Sequence, residues 1–292
     1  MTVQISPQSE FSSSQSEPNK RHWLASLAVN VDYKNQRSFV SFSKHCGPLR
    51  IQRPFYPEGQ QTCHLYVLHP PGGLVPGDEL ELDFSIESNA HALLTTPSAG
   101  KFYQTDRWQH PQQQNTRLTL SHQSICEWLP QETIFFDKAN AELHNVYNLE
   151  QDSKLITWEI LCFGRKHGDF PFTAGNVSQD IRVIVDNEPL FIEKNRFEAS
   201  TPIMSERWGL ANNTVQGTLI AYGFKEQLPE SLYQLGNDKN PLLAFTQMGP
   251  LLICRYLGNC TQEAKQLFTE VWQFIRPNLL NLQAEIPRIW HT

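Results

Sequence analysis

No apolar run in the 292 residues approaches the ~20 that a membrane-spanning helix needs. The stretch from Met1 to Asn19 is polar, rich in Ser and Gln, and lacks the apolar centre of a secretory leader. Together these absences predict a cytoplasmic chain with no membrane partner. Paired cysteines are also missing. Cys46, Cys63, Cys126, Cys162, Cys254 and Cys260 form no CxxC spacing, so they read as reduced, mostly buried thiols. Basic charge is outnumbered, 24 Lys and Arg against 30 Asp and Glu, and the net charge of -6 argues against nucleic acid, whose phosphates reward a basic surface. There is no HExxH, no GxGxxG after a strand, no GKS/T phosphate loop, no EF-hand loop, no GxSxG elbow and no His/Cys spacing for tetrahedral zinc. The sequence therefore predicts neither an enzyme nor a tightly bound cofactor.

What is present favours strands. The chain holds 17 Phe, 8 Tyr and 7 Trp, residues that pack well on a pleated surface. Residues 1–20 read as a disordered polar tail and 21–292 as one β-rich domain. Leu80 to Ile86 alternates apolar and polar, as a strand with one buried face does. Further runs predicted as strands are 63–68, 91–96, 116–120, 133–136, 143–149, 155–163, 181–185, 215–224 and 251–256. Two helices are predicted near the C-terminus. The first runs from Pro229 to Leu235, with Pro229 at a first helical position and Gly236 past the end. The second follows Thr261 as N-cap, carries the stripe Ala264, Leu267, Phe268, Val271, Trp272 and Ile275, and exits at Pro277.

Four segments hold chemistry-bearing residues. His69-Pro70-Pro71-Gly72-Gly73-Leu74-Val75-Pro76-Gly77-Asp78 is a rigid, sharply folded loop. Asp78 caps that turn, or else His69 or Asp78 lines a polar passage. Thr95-Thr96-Pro97-Ser98-Ala99-Gly100-Lys101 offers hydroxyls but no adjacent base, so these side chains read as satisfying backbone groups. Cys126 to Asp137 carries Glu127 and Glu132 among aromatics, the spacing behind an alternative reading as a carboxylate-based β-rich hydrolase. Trp158 to Phe170 buries Glu159 in an apolar strand, where a charge needs a partner. Arg165 is the candidate for an ion pair; the functional reading is that Glu159 or Asp169 presents oxygen to water or a metal ion.

In order and spacing, these segments resemble the UreD (UreH) family of urease accessory proteins. The likeness starts near Trp23 and takes in Arg53-Pro54-Phe55-Tyr56-Pro57-Glu58, the HPPGG loop, TTPSAGKFY, EWLPQETIFFD, WEILCFGRKHGD and Pro287-Arg288-Ile289-Trp290. The chain departs from the family pattern at Val75-Pro76, where a second glycine is more usual, and at Asp169, where the family commonly has Glu. The resemblance implies a mainly β fold, two stacked mixed sheets in a solenoid-like superhelix, with two α-helices towards the C-terminus. It also implies a non-catalytic scaffold that binds apo-urease, accessory protein F and, through F, the GTPase G, and that helps deliver nickel. Asp78, Glu159 and Asp169 are then candidate acidic groups for transient Ni2+ along a water-filled route. Such a route must hold the ion weakly, and sparse carboxylates do so better than a His/Cys cage.

Overall fold

Strands that alternate apolar and polar residues, and strands apolar throughout, separate into two sheets. The computed structural model describes residues 22–165, 168–235 and 242–291; the predicted tail, His167 and Gly236 lie outside them. In chain order the strands are β1 (Trp23–Lys34), β2 (Arg37–Cys46), β3 (Arg50–Ile51), β4 (Thr62–Leu68), β5 (Asp78–Ile86), β6 (His91–Thr95), β7 (Gly100–Phe102), β8 (Gln112–Leu120) and β9 (Ile125–Leu129). They continue as β10 (Thr133–Phe135), β11 (Asn140–Leu149), β12 (Lys154–Arg165), β13 (Phe170–Pro171), β14 (Asn176–Val185), β15 (Glu188–Glu198), β16 (Val215–Tyr222), β17 (Leu242–Met248) and β18 (Leu251–Gly258). The helices are α1 (Glu230–Tyr233) and α2 (Thr261–Leu280).

One sheet runs β15-β14-β11-β8-β5-β1-β2; the larger runs β17-β18-β16-β12-β9-β6-β4-β3, with β10 and β13 also paired to β12 and β7 paired to β10. From β4 to β14 the long strands alternate between the sheets, so successive strands within each sheet pair in parallel: β5 with β8 and β8 with β11 in one, β6 with β9 and β9 with β12 in the other. Antiparallel hairpins close the edges of the first sheet. Their turns hold Asn35-Gln36 and Asp186-Asn187, each pair at positive φ, the geometry that a two-residue hairpin turn demands.

The larger sheet is the middle layer. Its strands β4, β6 and β12 are buried almost end to end, whereas β5 and β11 alternate buried with more exposed residues. On β12, Leu155, Leu161 and Phe163 face the other sheet, and Ile156, Trp158 and Ile160 face α2. The two cores follow from that division, one between the sheets and one beneath α2.

Both helices have boundaries that differ from expectation. Cys260, not Thr261, is the N-cap of α2, and the helix passes through Pro277 to an αL cap at Asn281. Pro277 removes one backbone donor, but the following turn buries Leu279 and Leu280, and Lys154 Nζ donates to Leu279 O at 2.6 Å. Packing of that last turn outweighs the helix-breaking tendency. Pro229 is likewise the N-cap of α1 rather than its first residue.

Trp272 is fully buried on α2, so Trp272→Ala is expected to destabilise the chain by about 3–5 kcal/mol. Trp208, 72% exposed, serves as control, with Trp208→Ala within about 0.5 kcal/mol of the parent. Urea unfolding of the two variants checks both figures; a Trp272→Ala midpoint equal to that of the control would contradict the packing role.

Candidate functional site

Two polar systems interrupt the cores. The first fastens α2 to the middle sheet. Glu127 on β9 is completely buried and points towards the helix, where it accepts from Trp272 Nε1 at 2.6 Å, from Arg276 Nε at 2.9 Å and from His91 Nε2 at 2.7 Å. Arg276, also fully buried, reaches Glu58 at 2.6 Å and the carbonyl of Gln283, while Glu58 accepts from His64 Nε2 at 2.6 Å. Burial pushes the Glu127 carboxyl up, but the His91 hydrogen bond and the Arg276 charge outweigh it and leave it at about 2. Both oxygens of this carboxylate are engaged, so Glu127 has no free oxygen for general acid or base work in this arrangement.

The second system lies between the sheets. Its members share the inward faces of strands that otherwise present Leu, Val and Phe. Arg255 on β18 donates to Glu193 on β15 at 2.9 Å; Asn195 Nδ2 donates to Glu193 at 2.6 Å and to Gln179 Oε1 at 2.9 Å; Gln179 Nε2 donates to Glu159 at 2.6 Å. The chain of bonds crosses from one sheet to the other twice. Deeper in, Thr157, Asn145 and Thr116 continue the row; Asn145 lies within hydrogen-bond reach of Glu159 and Thr157 of the Tyr147 hydroxyl, while Thr116 Oγ1 is buried without a protein partner. Buried polar groups ordinarily find partners, so Thr116 marks space for water. Asn145 and Thr116 are register neighbours on β11 and β8. Two residues along β8, Gln114 lines a cavity with His69, Leu80 and Trp128. At the opposite end, Glu193, Asn195, Gln216 and Arg255 line a second cavity of about 350 Å³ at the sandwich edge.

Glu159 stands at the centre of the row. Burial pushes its carboxyl up, the Gln179 and Asn145 hydrogen bonds only partly offset this, and it sits at about 7. Arg165 does not pair with it: that guanidinium lies 6.0 Å from the centroid of the exposed Phe170 ring. Asp78 is buried at the start of β5, and its Oδ2 accepts from Val75 N at 2.8 Å, clamping the HPPGG loop beside the first cavity. Burial there also lowers the pKa of His69, against the opposing charge of Asp78. Asp169 occupies an exposed turn at φ 56, outside the row. Thr95 and Thr96 satisfy backbone groups, as expected, through Leu129 O and Gln131 N. Among the described residues, His122, Glu150 and Asp152 also bring ligand atoms within 4.8 Å of one another, but all three are exposed and His122 is spent on Asp152. The sequence singled out Glu159 alone of the row. Gln179, Asn195, Glu193 and Arg255 each sit at inward positions of alternating strands, and that break in alternation is the signal that could have found them.

The comparisons with known proteins bear on this arrangement. A family model described as UreD urease accessory protein matches residues 24–291. The chain belongs to the UreD family. It is 42% identical over 277 residues to the urease accessory protein UreD of Saccharophagus degradans, covering 93% of this chain and 94% of that one. The UreD of Hahella chejuensis is 40% identical over 286 residues, with 93% and 91% covered, and that of Klebsiella aerogenes 36% over 275 residues, with 94% and 99% covered. All three relatives carry the name of urease accessory protein, and family membership makes this chain one of that class.

The two carboxylates give opposite pH behaviour. Glu159 titrates higher in the folded chain than its ordinary 4.5, so its contribution to stability is present below about pH 4.5 and lost as pH rises through about 7. Glu159→Gln abolishes that loss. Relative to the parent, the variant is expected to gain up to about 3 kcal/mol between pH 5 and pH 8, measured by urea unfolding at both values; an unchanged difference counts against the burial argument. Arg276→Met, by contrast, strands Glu127 and is expected to cost about 3–5 kcal/mol at pH 7. Adding Glu127→Leu should recover much of it, which a double-mutant cycle reads directly.

Proposed function

We propose that the chain is a non-catalytic maturation scaffold in the cytoplasm, acting as one β-rich domain. In this reading it binds apo-urease and accessory protein F, and through F the GTPase G, and gives nickel a route towards the urease active site. It takes neither nucleic acid nor membrane as partner. One observation carries the route: a polar row runs through an otherwise apolar inter-sheet core, from residues that line the edge cavity towards Thr116, two residues along β8 from Gln114 at the other cavity. A purely structural sandwich gains nothing from such a row, since each buried polar atom without a partner costs roughly 1–3 kcal/mol.

The chemistry suits transit. The row supplies carboxylate, amide and hydroxyl oxygens and no thiolate. Nickel, high in the affinity order for nitrogen and sulfur, is held loosely by oxygen and released readily. Glu159 is the acidic group proposed along the route; Asp78 holds the loop at one cavity. Asp169 is proposed to meet the ion only if the route also passes over the outer turn.

The test is activation of apo-urease with F, G, GTP, bicarbonate and nickel, with and without this chain. Omission is expected to lower urease nickel content and activity several-fold. Asn145→Leu, which fills the row with hydrocarbon, should still co-purify with F and G yet mature a nickel-poor urease. Full activation by an assembled Asn145→Leu chain would remove the row as the route. Asp169→Ala activating as well as the parent would exclude the outer turn.

A further inference from the structure

The two sheets differ in width at one end. The middle sheet ends in β16, β18 and β17, and the other in β11, β14 and β15. Arg255 on β18 reaches Glu193 on β15, so β15 lies over β18 and β17 extends one strand beyond it. Pairing sets Leu242 beside Leu257, Ala244 beside Arg255, Thr246 beside Ile253 and Met248 beside Leu251, all on the side that faces the other sheet. Nothing among the described residues covers that side of β17. All four of its residues are exposed, Leu242 by 66% and Met248 by 49%. Leu243 and Phe245 point the other way and pack into the core beneath α2.

The edge of β15 above this ledge is open as well. Among the described residues β15 pairs only with β14, and no other backbone hydrogen bond reaches residues 189–197. Proteins blunt free edges with proline, bulges and charge. Here Pro189 and the bulge at Val183/Ile184 guard the hairpin end, but from Phe191 to Glu198 the ladder is regular. Neighbouring strands lie about 4.8 Å apart and stacked sheets about 10 Å apart, so a strand added to β15 would lie over β17. Its lower face would meet Leu242, Met248 and the exposed Trp208, which with Ile203 and Leu257 lines the edge cavity. Its upper face would stand beside Lys194 and Arg196, which alternate with the inward Glu193 and Asn195. Asp180 is shared between Arg182 and Lys194, and Arg196 has no ion-pair partner among the described residues. Opposite charges on facing strands are favourable and like charges unfavourable, so this edge suits an acidic neighbour.

We infer that the β15 edge and the β17 ledge form a strand-addition site: an extended segment of a partner pairs with β15, lays apolar side chains on Leu242, Met248 and Trp208, and turns carboxylates towards Lys194 and Arg196. Main-chain bonds supply affinity, and the alternation of apolar with acidic residues selects the segment. A second copy of this chain does not match. Two β15 strands paired about this run would set Lys194 and Arg196 against like charges, and β17 carries no charge to offer. The inference does not rest on the nickel passage.

The probe is a nine-residue peptide of alternating Glu and Val with blocked ends, titrated calorimetrically into the full-length chain. A Lys and Val peptide of the same length is its counterpart. Net charge of -6 by itself favours the Lys peptide. The site predicts the reverse: the Glu peptide binds with a dissociation constant below about 1 mM, at least about tenfold more tightly than the Lys peptide. Lys194→Glu combined with Arg196→Glu inverts that order, which general destabilisation cannot do. Leu242→Asp, at an exposed position, weakens the Glu peptide about tenfold. Hydrogen exchange locates the pairing, with slower exchange expected along β15 when the Glu peptide is bound. Absence of binding at about 1 mM, equal affinity for the two peptides, or a preference unchanged by the charge reversal would overturn the site. Slower exchange along β17 with none along β15 would overturn it too. So would self-association of the parent that Leu242→Asp abolishes, because a second copy would then occupy the ledge.

Discussion

The buried carboxylate of Glu127 fixes where the C-terminal helix sits, and the three-layer arrangement depends on that placement. The middle sheet is apolar on both faces, so it needs a cover on each. Apolar packing of Phe268, Val271, Trp272 and Ile275 supplies the attraction but no direction, because hydrophobic contact has little preference among neighbouring registers. Direction comes from one carboxylate that accepts from Trp272, Arg276 and His91 together. The same guanidinium reaches Glu58 before β4 and Gln283 after the helix, so four separated stretches converge on one charge centre. Trp290 closes the arrangement, with its ring 5.6 Å from Trp158 and 5.8 Å from Trp272. A buried ion pair of this kind adds little net stability over a hydrocarbon replacement; its contribution is register.

With that face settled, the opposite face of the same sheet carries a polar row at a cost in stability. Glu159 is neighboured on β12 by Trp158 and Ile160, whose side chains point the other way towards α2. Adjacent residues of one strand therefore serve two unrelated purposes, structural on the even side and polar on the odd side. The period-two geometry of a strand makes this separation available, and the fully covered middle layer makes it consequential, because neither side chain has solvent to retreat to.

Much of the fold was legible in the sequence. Alternation in Leu80 to Ile86 and the apolar run from Leu155 to Phe163, interrupted by Thr157 and Glu159, correspond to a one-face strand and a two-face strand, and the stripe on α2 is buried residue for residue. The stop at Pro277 was misjudged because local propensity ignores the tertiary burial of Leu279 and Leu280. The site was legible only at Glu159, where a charge in a hydrophobic run is conspicuous. Gln179, Asn195 and Glu193 sit on strands that already carry polar residues outward, so their inward orientation depends on register, and register is set by pairing partners far away in sequence. Arg165 illustrates the converse error: closeness along the chain suggested a pair, while the strand carries its guanidinium to the far end, over Phe170.

The architecture also explains why a polar row of this kind lies between sheets rather than along a helix. Each sheet satisfies its backbone donors and acceptors within its own plane, so the layer between them is built from side chains alone. Replacing Leu by Gln or Asn in that layer changes the lining without breaking a ladder bond. Crossing bonds such as Gln179 to Glu159 and Arg255 to Glu193 then tie the sheets at the points where apolar contact has been given up. The polar row is thus both the interruption in the core and the bracing across it. At the edge the brace is the half-exposed Arg255, whose guanidinium stays partly in water while Glu193 lies inward.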